Sequence, residues 1–184
     1  MLKKALLPGF LGGIVFIFWT FIVNAMFGFK SSLDMKPFPN ESQVYEILKE
    51  NIKEPGRYAC NPQVSEMGFP ANEPAFSILY GGMGHEVAGW LMLVQLPIFL
   101  LAPILGTIML SFASPSVTNN YLKKVLFFTG FGLLIALFSD LLNFGIGSYP
   151  PKDALILALH DIAVWTVIGL VVAWRFKPNS NITA

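Results

Sequence analysis

Four long apolar blocks, separated by two short polar stretches and one long one, set the pattern of this chain. They run from about Ala5 to Phe29, Val87 to Phe112, Val125 to Ile146 and Ala154 to Trp174. Each holds about 20 residues or more, enough to cross ~30 Å of hydrocarbon as a helix. The pattern predicts an all-α membrane protein: a four-transmembrane-helix bundle forming a single membrane domain over residues 1–184, with a small extracytoplasmic α+β cap at residues 30–86. The opening MLKK resembles the basic head of a signal peptide, and VNA at 23–25 resembles a cleavage site. The apolar stretch is longer than a signal-peptide core, however, so a retained first span is expected.

Inside the long polar stretch the period changes. In NESQVYEILKENIKEPG, Val44, Ile47, Leu48 and Ile52 recur at three- and four-residue steps, which predicts a short amphipathic helix. Asn40 suits its N-cap, Glu41 its first turn and Lys49 and Lys53 its last, and Pro55-Gly56 stops it. Beyond it, RYAC and AFSILYG read as two short strands around a Pro- and Gly-containing turn region. A strand pair and one helix are too little to fold alone, so the cap is expected to lean on the bundle or the membrane surface.

Small residues mark the faces on which the spans pack, because lipid gives helices no hydrophobic reason to associate. Ala5, Gly9 and Gly13 follow at four-residue steps on the first span, with Gly12 beside them. Gly132, Ala136, Asp140, Asn143 and Gly147 share a face of the third, and Ala154, Ala158, Asp161, Trp165 and Gly169 a face of the fourth. Both acids therefore point at helices rather than at lipid. Pro97 and Pro103 should bend the second span and loosen carbonyls there.

Composition agrees with the pattern: 54% of residues are hydrophobic and 12% charged. A net charge of +1 with no concentrated basic face excludes nucleic acid as a partner. The single cysteine, Cys60, excludes an internal disulfide and any CxxC motif. Lys3, Lys4, Lys123, Lys124, Arg175 and Lys177 flank the spans on one side without an acidic residue among them. The basic residues of the other side are mixed with carboxylates, so both termini are expected in the cytoplasm. Tyr121 and Trp174 fall near that inner interface, whereas Trp19 is mid-span.

Candidate chemistry is confined to the outer half of the bundle. Asp140, Asn143, His160 and Asp161 form a predicted polar layer, counted from the span ends to a common depth of roughly 10 Å. His85, Glu86 and Asp153 lie nearer the outer mouth. An unpaired carboxylate at such depth costs at least ~2.5 kcal/mol. Three readings stay open: a hydrogen-bonded network that fixes helix register, a site for protons, a metal or a head group, and a pair facing a partner protein. His beside Asp suits proton relay or orientation of an imidazole ligand. HEVAG carries glycine at 89 where a HExxH zinc motif needs its second histidine. The two histidines with Glu86 and Asp140, or two histidines on a haem, would need the mouth and the layer to meet. The cofactor therefore stays unassigned.

GFLGGIVFIFW, then FPNESQVYEILKENI and the PGRY turn, resemble a family of small uncharacterised bacterial four-span inner-membrane proteins. Those begin with a Gly-rich span carrying a tryptophan and continue with a Phe-x-x-Glu helix and a Gly-x-Tyr strand. The resemblance covers about the first 60 residues and the span pattern. It implies a bacterial inner membrane and brings no activity; the His160–Asp161 pair and the GHE stretch are not part of it. The chain carries no serine nucleophile elbow and no phosphate loop, and nothing in it demands an enzyme. The leading expectation is an accessory or assembly subunit working among other membrane-protein subunits in the lipid bilayer. The rival is a carrier or cofactor-binding protein handling protons, a metal or a quinone at the polar layer, and an enzyme acting on outer-leaflet lipid comes third.

Overall fold

The computed structural model describes residues 2–34, 36–61, 68, 73–144 and 149–177. Helix α1 (Leu2–Thr20) continues into a π-helical turn, Phe21–Met26, and is followed by the short α2 (Phe29–Asp34) and by α3 (Glu41–Asn51). A hairpin of β1 (Gly56–Cys60) and β2 (Phe76–Tyr80) leads to α4 (His85–Ser111), α5 (Pro115–Thr118), α6 (Tyr121–Ile135) and α7 (Pro151–Arg175). Between α6 and α7 the chain makes a second π-helical turn, Ala136–Asp140, and a 3-10 turn, Leu141–Phe144. Four helical stretches are long and apolar enough to cross a membrane: Lys3–Met26, Gly89–Ser111, Tyr121–Asp140 and Pro151–Arg175. They match the four predicted blocks, with one informative difference. The third starts at Tyr121 and gives up α-helical geometry at Ala136, so Asp140 stands at its end rather than six residues inside it.

Across the bundle the order is α4, α1, α7, α6, with a thinner contact between α4 and α6. Glycine sets the spacing of each seam. A Cβ on Gly9 would lie 2.6 Å from the Cα of Ile104, and one on Gly13 would lie 2.7 Å from the Cα of Leu100. On the other side, a Cβ on Gly132 would meet Asp161 O and Ile162 Cα at 2.8 Å, and one on Gly169 would meet Phe128 Cβ at 2.8 Å. The small-residue faces read from the sequence are thus the faces that pack. Gly12, turned toward Val172 and Ile168, closes α1 on α7.

Helix α4 runs as one element through Pro97 and Pro103. Pro103 lacks the N–H that would bond Phe99 O, and that carbonyl lies against Gly13. At the termini end Leu110, Phe128, Ile168 and Val172 make the buried core. Lys124, also buried, donates from Nζ to Phe176 O at 3.0 Å. Lys3, Lys4, Arg175 and Lys177 line one cleft there, so the basic flanks predicted for a single side do gather at one end. Near the start of α4, Val87, Trp90, Leu93 and Val94 are exposed.

The cap sits at the end opposite the termini. Helix α3 begins after Asn40 as expected, although the Asn40 side chain makes no capping bond. The two strands pair antiparallel with Tyr58 opposite Ile78. Gly82 (φ +71°) takes the chain out of the hairpin against the Pro55 ring, at a backbone angle that L side chains rarely adopt. No residue of α3 is buried, and neither strand has a buried position.

Candidate functional site

The polar residues of the bundle are positioned by α1 and α7. His160 lies on the side of α7 that meets α1, and Trp19 lies on the last turn of α1 before the π-helical turn. Trp19 Nε1 donates to His160 Nε2 at 3.0 Å. His160 Nδ1 and Asp161 Oδ1 are also 3.0 Å apart. An indole can only donate, so Nε2 is the acceptor nitrogen and the imidazole proton sits on Nδ1, directed at the Asp161 carboxylate. The chain Trp19→His160→Asp161 therefore fixes a neutral tautomer. Protonating Nε2 would set two donors against each other and break the bond between the helices.

The local backbone completes the cover. Gly28 (φ +60°) reverses the chain after the π-helical turn, its N–H bonding Asn24 O at 3.1 Å. That reversal brings Phe29 onto the imidazole, with ring centroids 4.9 Å apart and planes 24° from parallel. His160 is consequently 11% exposed in its side chain, against 29% for Asp161. On the far face, the Asp161 backbone carbonyl packs on Gly132 of α6, and Thr129 and Thr166 join hydroxyls at 3.0 Å one turn lower. Above Trp19, the buried Asn24 Oδ1 has no hydrogen-bond partner.

The other predicted site residues fall elsewhere. Asp140 is buried on the α6 side, yet it follows by eight residues the glycine that faces Asp161. In this antiparallel pair that offset amounts to ~12 Å at ~1.5 Å per residue. The register of α6 against α7 thus places Asp140 nearer the cap, level with the first turns of α7, rather than at the depth of His160 and Asp161. Asp153, buried on α7, pairs with Lys36 at 3.3 Å, where the chain leaves α2 for α3. Asn143 belongs to the 3-10 turn and His85 and Glu86 open α4, but their side chains lie outside the described residues.

Sequence reasoning missed Trp19, Phe29 and Lys36. Trp19 did leave a signal: a tryptophan well inside a span, away from the interfacial belts, needs a partner for its indole N–H. Phe29 and Lys36 left none, because a positive-φ reversal at Gly28 brings both to α7. Among the described residues no group of three histidine, cysteine or acidic side chains is placed to hold a metal. The arrangement can therefore do two things: tie α1 to α7 through a neutral imidazole, and offer a partly exposed carboxylate beside it. No family model matches the chain, and no curated protein or solved structure matches it.

Proposed function

We propose that this protein is a non-catalytic accessory or assembly subunit of a larger membrane complex, held in a bacterial inner membrane with both termini cytoplasmic and the cap outside. The single observation behind this reading is the surface of the cap. Tyr45, Ile47, Phe76 and Leu79 are all exposed there, at the end of the molecule that faces water in this orientation. Apolar side chains on lipid-facing helices are at home, but several left exposed outside the bilayer suit a contact site. In this account the glycine seams and the Trp19–His160–Asp161 chain make the bundle a rigid anchor, and the cap does the binding.

Purification from native membranes in mild detergent tests the reading. The chain is expected to migrate within a larger assembly containing other polypeptides; migration alone, at the mass of a monomer or homo-oligomer, contradicts it. Orientation has its own check. Cys60 is exposed on β1 and is expected to react with a membrane-impermeant maleimide in spheroplasts, whereas labelling only after lysis contradicts an outside cap.

A second reading, a carrier or cofactor-binding protein for protons, a metal or a quinone, is favoured by the partly exposed Asp161 carboxylate bonded to His160. Metal analysis and a visible absorption spectrum of the pure protein separate the two. A colourless, metal-free protein whose Asp161→Asn and His160→Ala variants support growth normally removes this second reading.

A further inference from the structure

Between α3 and the hairpin lies a groove of about 410 Å³, lined by Tyr45, Leu48, Lys49, Ile52 and Lys53 on one wall and by Ile78, Leu79 and Tyr80 on the other. Its second wall is the informative one. Successive side chains of a strand point to opposite faces of a sheet, so Ile78 and Tyr80 border the groove from one face while Leu79 lies between them at the strand's edge. That edge is the one turned away from β1, which contributes nothing to the lining. Every second residue of β2 directs its N–H and C=O there.

Resting on the subunit reading above, we infer that the groove receives an extended segment of a partner protein, which adds to β2 as a third strand and lies beneath α3. This edge, unpaired among the described residues, supplies main-chain hydrogen bonds, while apolar walls select alternate side chains of the incoming strand. The charged residues in the lining are both lysines. Lys53 Nζ donates to Lys49 O at 2.8 Å, and Lys49 meets Glu46 at 3.6 Å with both side chains largely exposed. The remaining donors of both ammonium groups favour a strand carrying carboxylates on its α3-facing side.

Two other occupants fit worse. An acyl chain would cover the edge of β2 without satisfying its backbone groups, which is costly. A second copy of this chain would bring its own α3 along the same edge of its own β2, and the two helices would occupy one space.

Photocrosslinking in native membranes with the full-length chain tests this, using a benzophenone-bearing residue placed at Leu79, at Lys49, or at Glu50 outside the groove. Leu79 is 79% exposed, so the replacement leaves the hairpin intact. Positions 79 and 49 are expected to reach the same short segment of one partner chain, with position 50 not reaching it. Reversing both lysines (Lys49→Glu with Lys53→Glu) is expected to lower the yield from position 79 about tenfold, and Glu50→Lys to leave it unchanged. Crosslinks from position 79 to a second copy, to lipid or to the chain's own residues 62–72 overturn the strand proposal. So does an equal yield from position 50. If the assembly keeps its full size under any of these results, the subunit reading survives without the strand; if the chain migrates alone, both fall.

Discussion

Gly13 and Leu79 illustrate the two ways this chain handles its apolar surface. At Gly13 two helices approach until a single added carbon would strike the Cα of Leu100, at 2.7 Å. At Leu79 the side chain stands 79% exposed on a two-stranded sheet. The bundle is closed within itself along three seams, α4–α1, α1–α7 and α7–α6, each narrowed by glycine. The cap is less apolar, and among its described residues it buries none completely. In the proposed orientation lipid accounts for exposed leucines on a span, but not for those on the hairpin. The contrast separates the part of the molecule that packs closely on itself from the part whose apolar side chains stay at the surface.

The contrast is open to breaking by substitution, and the largest effect is expected in the seams. Gly132→Ala places a carbon against the backbone of α7 and is expected to destabilise the purified protein by about 2 kcal/mol in detergent unfolding. Gly130→Ala, two residues away with open space around it, is expected to change stability by less than about 0.5 kcal/mol. Equal effects at both positions would mean that the seam is not close-packed. Next comes the polar chain. Trp19→Phe keeps an aromatic ring, though a smaller one, and leaves His160 Nε2 without its donor, at a cost of at least about 1 kcal/mol. A double-mutant cycle with His160→Ala should recover most of that as coupling; additive effects would show that the bond contributes nothing. Lys36→Met, which removes the exposed partner of the buried Asp153 carboxylate, is expected to cost about 1 kcal/mol and to lose part of that at high salt.

The smallest effect on stability, and the sharpest for function, is expected in the cap. Leu79→Ser should leave unfolding of the purified protein unchanged within about 0.5 kcal/mol, since little in the chain covers that side chain. The same variant should shrink the assembly recovered from native membranes. A cap variant that unfolds the bundle, or leaves the assembly intact, would erase the distinction between the two regions.

How much of this was legible beforehand follows the same division. The four spans, the amphipathic helix, both strands and the packing faces through Gly9, Gly13, Gly132 and Gly169 were readable, because each rests on a period or a length that neighbours in sequence enforce. The depth of Asp140 was not. Counting inward from assumed span ends does not give the register of α6 against α7, which the contact of Gly132 with Asp161 and Ile162 sets. The partner of His160 was half legible: the pairing with Asp161 follows from adjacency, whereas Trp19 is 141 positions away and is brought in by the α1–α7 seam. Phe29 depended on the positive φ of Gly28, one glycine among sixteen. The groove beside β2 could not be read at all, because it depends on where α3 lands.

The claim that most of this account depends on is that the hairpin is covered in the membrane and bare when purified. Maleimide labelling of a Leu79→Cys variant, in a Cys60→Ser background, measures that directly by comparing rates in native membranes and in detergent. The account predicts labelling slowed about tenfold or more in native membranes, with the difference abolished when Lys49→Glu and Lys53→Glu are added. Equal rates in both settings, with the variant correctly inserted, would contradict it.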